Sequence, residues 1–273
     1  MANEKAMRLS TGIPGFDNLC ESGFIDDSLN LITGNAGAGK TTFLLQFLYN
    51  GAVKYKEKGL FVSFELEPTN LHKAASLQGM DFVNLEKKGL CKIIKMSPDN
   101  SIKKMQDELM KKIIEEDVKR ICFDPINVLS INLSQKVNLR KQLYDLLSFL
   151  RSLGVCVLIA GENDGDGSDE RDLSETIKFS EYLVDSVIEL YSSGIAGEGD
   201  RAIRIKKMRM TNHVRGPISF EINDKGVSVY SSSFSNKRTV KKKNSNKKVI
   251  NKKSLNKKNS STDELVKDIL SRK

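Results

Sequence analysis

Gly34, Asn35, Ala36, Gly37, Ala38, Gly39, Lys40 and Thr41 spell a complete G-x-x-x-x-G-K-[ST] loop. No other segment restricts the fold so tightly, because such a loop works only between a strand and a helix. Its glycines let successive backbone N–H groups turn inward around phosphate oxygens, its lysine neutralises charge, and its threonine hydroxyl can ligate Mg²⁺. The flanks agree with that order. Leu29-Asn30-Leu31-Ile32-Thr33 is an apolar-rich run of strand length, and Phe43, Leu44, Phe47, Leu48 and Val53 recur at helical spacing between Thr41 and Tyr55. The N-terminus of the helix adds partial positive charge and free N–H groups. Chance alone would place the octapeptide in roughly one chain in a hundred of this length. Residues Gly34 to Thr41, with Thr42 after them, are therefore expected to bind a nucleoside triphosphate.

Downstream, strand-like runs recur at Leu60 to Phe64, Cys91 to Met96, Arg120 to Phe123 and Val155 to Ala160. Helical patterns separate them at Asn70 to Gln78, Asp99 to Glu116 and Val137 to Leu153, the last carrying Leu139, Leu143, Leu146, Leu147 and Leu150 on one face. This alternation predicts an α/β fold with a mostly parallel sheet and helices on both faces. Past Ser180 the strands crowd together, at Leu183 to Tyr191, Ala202 to Met208, Ile218 to Ile222 and Val227 to Tyr230, which predicts an antiparallel extension of the same sheet. The domain is expected over residues 1–235.

Charge is distributed unevenly. Eleven Lys or Arg and no acid lie between Lys237 and Lys258, so the net charge of +9 belongs to this tail and the remainder is slightly acidic. Residues 236–261 are Lys-, Asn- and Ser-rich with little apolar area, and are expected to form a disordered linker. Residues 262–273 then read as a short amphipathic helix on Leu265, Val266, Ile269 and Leu270. The four cysteines form no C-x-x-C pair and there are two histidines, so neither a disulfide framework nor a His/Cys metal cluster is indicated. No apolar run reaches the roughly 18 residues of a membrane span, and the N-terminus lacks a secretory h-region. A cytoplasmic protein without a membrane partner is expected.

Two strand ends carry candidate chemistry. Asp124 closes the strand Arg120-Ile121-Cys122-Phe123, at the carboxyl edge where open α/β sheets build their sites. About 80 residues beyond the phosphate loop, it is the natural Mg²⁺ partner for Thr41. Glu65 ends Phe61-Val62-Ser63-Phe64 on the same edge and is the candidate for orienting the attacking water. The competing reading has Glu65 or Glu67 capping the helix that begins near Pro68. Cys122 reads as a small buried hydrophobe. No Asn-Lys-x-Asp guanine signature is present, which points to ATP.

Three segments in order carry a family resemblance. Arg8-Leu9-Ser10-Thr11-Gly12-Ile13-Pro14-Gly15-Phe16-Asp17, the phosphate loop through Thr42, and Lys207-Met208-Arg209-Met210-Thr211-Asn212-His213 resemble KaiC-like and RadA-like ATPases of the RecA superfamily, over about residues 7 to 231. The resemblance implies a RecA-type P-loop core, ATP and Mg²⁺ as ligands, and assembly as a ring, usually a hexamer, with ATP at subunit interfaces. It also implies that Lys207 and Arg209 reach the neighbouring subunit's ATP as trans-acting fingers; spacing by itself shows only an exposed pair on one face of a strand. KaiC proteins carry two adjacent glutamates where this chain has Glu65 followed by Leu66, which predicts slow or differently supported turnover. The turn Ile25-Asp26-Asp27-Ser28 also lacks the Gly-Ser common in relatives.

The resulting expectation is a ring ATPase whose nucleotide state is coupled to a regulatory protein partner. Its alternatives are a non-hydrolysing nucleotide-dependent scaffold or signalling adaptor, and a RadA-like recombination mediator that binds DNA. In recombinases of the superfamily the loop after the strand at Val155 to Ala160 contacts single-stranded DNA. Here Glu162, Asp164, Asp166, Asp169, Glu170, Asp172 and Glu175 face only Arg171 in charge, a composition that repels phosphates. The Lys-rich tail offers nucleic acid at most a nonspecific, salt-sensitive contact, having no aromatic residue to stack on bases.

Overall fold

The computed structural model describes residues 7–97, 102–127, 136–162, 171–192 and 201–230. The linker expected over 236–261 and the helix expected over 262–273 lie outside these residues, as do Asp164, Asp166, Asp169 and Glu170 of the acidic segment.

In chain order the elements are β1 (Arg8–Leu9), β2 (Phe24–Ile25), β3 (Leu29–Gly34), α1 (Lys40–Asn50), β4 (Lys58–Ser63), α2 (Pro68–Ser76), α3 (Phe82–Lys87), β5 (Cys91–Lys95), α4 (Ile102–Glu116), β6 (Val118–Asp124), α5 (Lys136–Ser152), β7 (Cys156–Glu162), α6 (Arg171–Leu183), β8 (Ser186–Ser192), β9 (Arg201–Met208), β10 (Ile218–Asn223) and β11 (Gly226–Val229). β1 and β2 form a small antiparallel pair. The other nine strands make one sheet in the order β11-β10-β9-β8-β3-β7-β6-β4-β5. Pairing is parallel from β8 to β5 and antiparallel from β8 out to β11. The mostly parallel sheet with its antiparallel extension is as expected.

β3 lies mid-sheet and is buried along its whole length. Strand alternation sends Leu29 and Leu31 into one apolar layer and Ile32 into the other. The Leu31 layer is filled by α4 (Met105, Leu109, Ile113) and α5 (Leu143, Leu146, Leu147, Leu150). The Ile32 layer is filled by α1 (Phe43, Leu44, Phe47, Leu48) together with Leu71 and Phe82 of α2 and α3. Burying polar groups on such a strand requires partners. The Asn30 amide donates to Val157 O (3.1 Å) and accepts from the Ser186 hydroxyl, stitching three strands.

Two departures from the expected elements have clear causes. The helix after the phosphate loop is α-helical only to Asn50 and continues as one π-turn over Gly51–Tyr55, leaving Val53 40% exposed. The fully buried Arg120 lies against this turn: a Cβ at Gly51 would sit 2.5 Å from the Arg120 Cδ and Nε. Arg120 donates to Phe47 O (3.1 Å), Ser10 O (2.9 Å) and Glu57 Oε2 (2.5 Å), and its guanidinium stacks over Phe47. Second, residues 171–183 are helical rather than loop, so Asp172 and Glu175 belong to α6 and not to a loop after β7. α6 buries Ile177 and Ser180, and a serine in the buried stripe hides the helical period.

Candidate functional site

The phosphate loop joins the end of β3 to α1 as the motif demands. Gly34 and Gly39 have φ values of 155° and 104°, and a Cβ would lie 2.4 Å from Leu190 O at the first and 2.5 Å from the Ile222 Cδ1 at the second, so neither tolerates a side chain. The Asn35 amide donates to Ser192 O (3.1 Å), fixing the loop to the end of β8. Lys40 is buried, and its Nζ donates to Gly34 O (2.8 Å) and Asn35 O (3.0 Å) and lies 3.4 Å from Glu162 Oε1.

Thr41 and Asp124 meet directly, the Thr41 hydroxyl donating to Asp124 Oδ2 at 2.6 Å. Burial pushes the Asp124 carboxyl up to about 6; the Thr41 hydrogen bond and Lys40 oppose the rise, while Glu65 and Glu162 add to it. A carboxylate kept costly in charged form by burial favours any cation beside it. Two adjacent hard oxygen donors on the rim of a phosphate loop suit Mg²⁺, which takes few protein ligands and keeps waters and phosphate oxygens in its shell. The rim encloses a cleft of about 590 Å³ lined by the loop and by Ser63, Glu65, Leu66, Asp124, Glu162, Arg201 and Ile222.

Glu65 stands exposed on this rim, one residue past Phe64, whose N–H donates to Asp124 O (3.0 Å) and ties the two strand ends together. Ser63 shapes the turn: its hydroxyl donates to Leu66 O (2.7 Å) and accepts the Leu66 N–H (2.9 Å). The capping alternative fails on both residues. Glu67 occupies the N-cap of α2 without a side-chain cap bond and pairs instead with Lys95 at 2.5 Å. Cys122 is fully buried, with burial raising its thiol well above the ordinary value.

Two cleft residues were not singled out by sequence. Glu162 ends β7 just as Glu65 and Asp124 follow or end theirs, and that shared position was a legible signal masked by reading it as one of seven acids in a loop. Asn127 holds it in place, accepting the Glu162 N–H (2.7 Å) and donating to Glu162 O (3.0 Å). Arg201 opens β9 and donates to Gly37 O of the phosphate loop (2.8 Å). Nothing local marks it; only the antiparallel return of β9, pairing Arg201 with Ser192, brings it there.

The same return carries Lys207 away from the loop, to a pairing with Val187 near the start of β8. Six residues of extended chain span about 20 Å, so Lys207 and Arg209 stand on the opposite, amino edge of the parallel strands. A bulge between Val187 and Ile188 leaves both Lys206 and Lys207 against the end of α6. Lys206 pairs with Glu181 (2.8 Å), and the Lys207 ammonium donates to Glu181 O (2.8 Å) and Val184 O (2.6 Å). Burial, with Arg209 nearby, holds the Lys207 amine below its ordinary value. The Arg209 guanidinium donates to Tyr182 O (3.2 Å) and lies 3.6 Å from Asp185. The structure thus brings Lys40, Thr41, Asp124 and Glu65 together, and keeps Lys207 and Arg209 apart from them.

Comparison with known proteins agrees with this architecture. The chain is 29% identical over 229 residues to the circadian clock oscillator protein KaiC of Parathermosynechococcus lividus, an alignment covering 81% of this chain and 42% of that protein. For KaiC of Prochlorococcus marinus (strain MIT 9313) the figures are 26% over 235 residues, 83% and 46%. The chain therefore spans less than half the length of these curated relatives. The crystal structure of a KaiC-like protein from the hyperthermophilic archaeon Pyrococcus horikoshii OT3 superposes with a TM-score of 0.72 at 31% identity, covering 83% of this chain and 100% of that one. With residues 9–233 matched by the profile of the family described as "ATPase: KaiC", the chain belongs to the KaiC family of ATPases.

Proposed function

We propose that this protein is a Mg²⁺-dependent ATPase, acting as a ring in which each ATP is completed by a neighbouring subunit. The observation that carries the reading is the Thr41–Asp124 pair at 2.6 Å, set beside a phosphate loop and facing Glu65 across one cleft. Lys40 and Arg201 give up loop carbonyls for phosphate oxygens, a gain in charge pairing for both. Thr41 and Asp124 would hold Mg²⁺, which would neutralise phosphate charge when bound. Glu65 orients and deprotonates the attacking water, and Glu162 stays with the Lys40 side of the cleft. Phosphoryl transfer depends on such positioning and electrostatics more than on covalent help.

Lys207 and Arg209 cannot serve the phosphate loop of their own chain from the far end of β9, so they are assigned to the loop of the next subunit. Tyr182 and Met210, each at least 75% exposed, adjoin Arg209: Arg209 donates to Tyr182 O, and Met210 is its neighbour in the chain. Exposed apolar groups beside a partly exposed cation suit a subunit contact. A hexamer coupled to a regulatory protein partner is the assembly this reading favours, and the cytoplasm its setting; among the described residues no helix is long and apolar enough to cross a membrane.

Leu66 supports a second reading. It is 41% exposed in the cleft where the resemblance places a second glutamate, so a non-hydrolysing, nucleotide-dependent adaptor is the competing function. Phosphate release from Mg·ATP, with ring size followed by light scattering, separates the two. The ATPase reading expects turnover by wild type, a loss of about 10²-fold or more in Glu65→Gln and of about 10³-fold in Arg209→Ala, with rings retained. Binding without turnover in wild type would establish the adaptor.

A further inference from the structure

The cations at the end of β9 are not loose surface charges: Lys207 is held by main-chain carbonyls, and Arg209 stands beside a single carboxylate. Asp185 lies in the short link between α6 and β8 with its side chain only 12% exposed. Its backbone N–H donates to Leu29 O (2.7 Å), and its Oδ2 accepts the Leu29 N–H (3.0 Å), so the residue is clamped to the first residue of β3. Arg151 Nη1 donates to both carboxylate oxygens at 3.0 Å, while its Nη2 donates to Leu183 O (2.6 Å). Arg209 joins from the other side. Its N–H donates to Asp185 O (2.9 Å), and its Nη1 stands 3.6 Å from Oδ1.

Two arginines, Arg151 and Arg209, thus flank one carboxylate, Lys207 rests beside them on the Glu181 and Val184 carbonyls, and the Glu181 side chain pairs with Lys206. A carboxylate fixed by a backbone clamp cannot follow a moving arginine; it can only hold that arginine in one place. Arg209 remains 48% exposed even so, its Nη1 facing Asp185 and its Nη2 donating to Tyr182 O. An unrestrained arginine would lose its rotamer freedom each time it met an anion, whereas one already ordered does not. Misplacing a transition-state cation by about 1 Å costs on the order of 10²-fold in rate.

We propose that Asp185 is a positioning residue that aims Arg209 at the polyphosphate bound by a second copy of this chain. The inference rests on the inter-subunit role of Arg209 given above. The rival explanation is structural: Asp185 touches Leu29, and β3 leads to the phosphate loop of its own chain, so its loss would then act in cis.

Mixed rings decide between them. Lys40→Ala disables a subunit's own loop but leaves its Asp185 and Arg209 intact. Differently tagged chains are co-expressed, mixed rings are isolated through both tags, and ATP turnover is measured. Alone, Asp185→Asn should keep KM near that of wild type while kcat falls by about 10- to 100-fold. In mixed rings with Lys40→Ala, itself inactive, turnover should return, because the Lys40→Ala subunit supplies an ordered Arg209. Rings of Arg209→Ala with Lys40→Ala are the control. Recovery in the control but not with Asp185→Asn overturns the inference and leaves the inter-subunit reading standing. No recovery in either, or no turnover by wild type, removes both. If Asp185→Asn melts below the assay temperature, Asp185→Glu, which keeps the charge and displaces it by one methylene, is used instead. A smaller kcat loss with the same recovery is then expected, and full kcat overturns the inference.

Discussion

The two edges of the parallel sheet differ in how their charged side chains are held. On the carboxyl edge three acids, Glu65, Asp124 and Glu162, surround the cleft, and its two cations, Lys40 and Arg201, rest on carbonyls of the phosphate loop. On the amino edge Arg151, Lys207 and Arg209 converge on Asp185 and on the carbonyl end of α6. One edge has acceptors for a metal and exchangeable donors for phosphate; the other has two arginines beside a clamped carboxylate and a lysine on main-chain carbonyls. In the proposed ring these edges are the two halves of one site, and β9, with Arg201 at one end and Lys207 near the other, reaches both.

Disabling one edge alone gives the largest expected effect. Lys40→Ala should lower ATP affinity by at least about 100-fold, a loss of the order expected for a buried charge-assisted contact, while the rings proposed above should persist. Equilibrium binding of a fluorescent ATP analogue alongside light scattering checks both halves, and loss of rings in Lys40→Ala would show that the edges are not independent.

A smaller effect sharpens the electrostatic side. The folded-state pKa of Asp124, about 6, lies above the ordinary carboxylate value. The folded state thus binds this proton more tightly than the unfolded one, so its burden on stability is absent below about pH 4 and grows as pH rises towards 6. A shift of this size corresponds to about 3 kcal/mol at pH 7. In EDTA and without nucleotide, Asp124→Asn should melt above wild type at pH 7, and the gap should close towards pH 4. A gap independent of pH would mean that the carboxylate is not the source. With Asp124 as the proposed Mg²⁺ ligand, adding Mg·ATP should reverse the sign at neutral pH by stabilising the charged carboxylate in wild type alone.

The smallest expected effect belongs to Glu67, two residues beyond Glu65 but turned to Lys95. Glu67→Ala should change stability by less than about 1 kcal/mol, as exposed pairs do, and leave turnover at the wild-type rate. A loss of turnover would move the carboxylate function of this rim from Glu65 to its neighbour.

Most of the receiving edge was legible in the chain because its parts are local. A strand, a glycine-rich loop and a helix follow one another within about twenty residues, and Asp124 and Glu65 sit at or just past the ends of apolar runs that can only be inner strands. Glu162 obeyed the same rule, but its neighbours' charges drew it into a loop. The helix α6 was overlooked because Ser180 interrupts its buried face, and the π-turn after α1 was overlooked because its cause, the buried side chain of Arg120, arrives from a strand some 70 residues away in the chain.

What the sequence by itself determined is the phosphate loop, the α/β alternation and the strand-end acids, since each depends on residue type and short-range spacing. Only the tertiary structure decided that Arg201 meets Gly37, that Lys207 and Arg209 stand a strand's length away, and that Asp185 lies beside Arg209. Those outcomes depend on the direction and register of β9 beside β8. Burial of Ile203, Ile205 and Met208 against distant helices sets that register, and no short stretch of sequence encodes it.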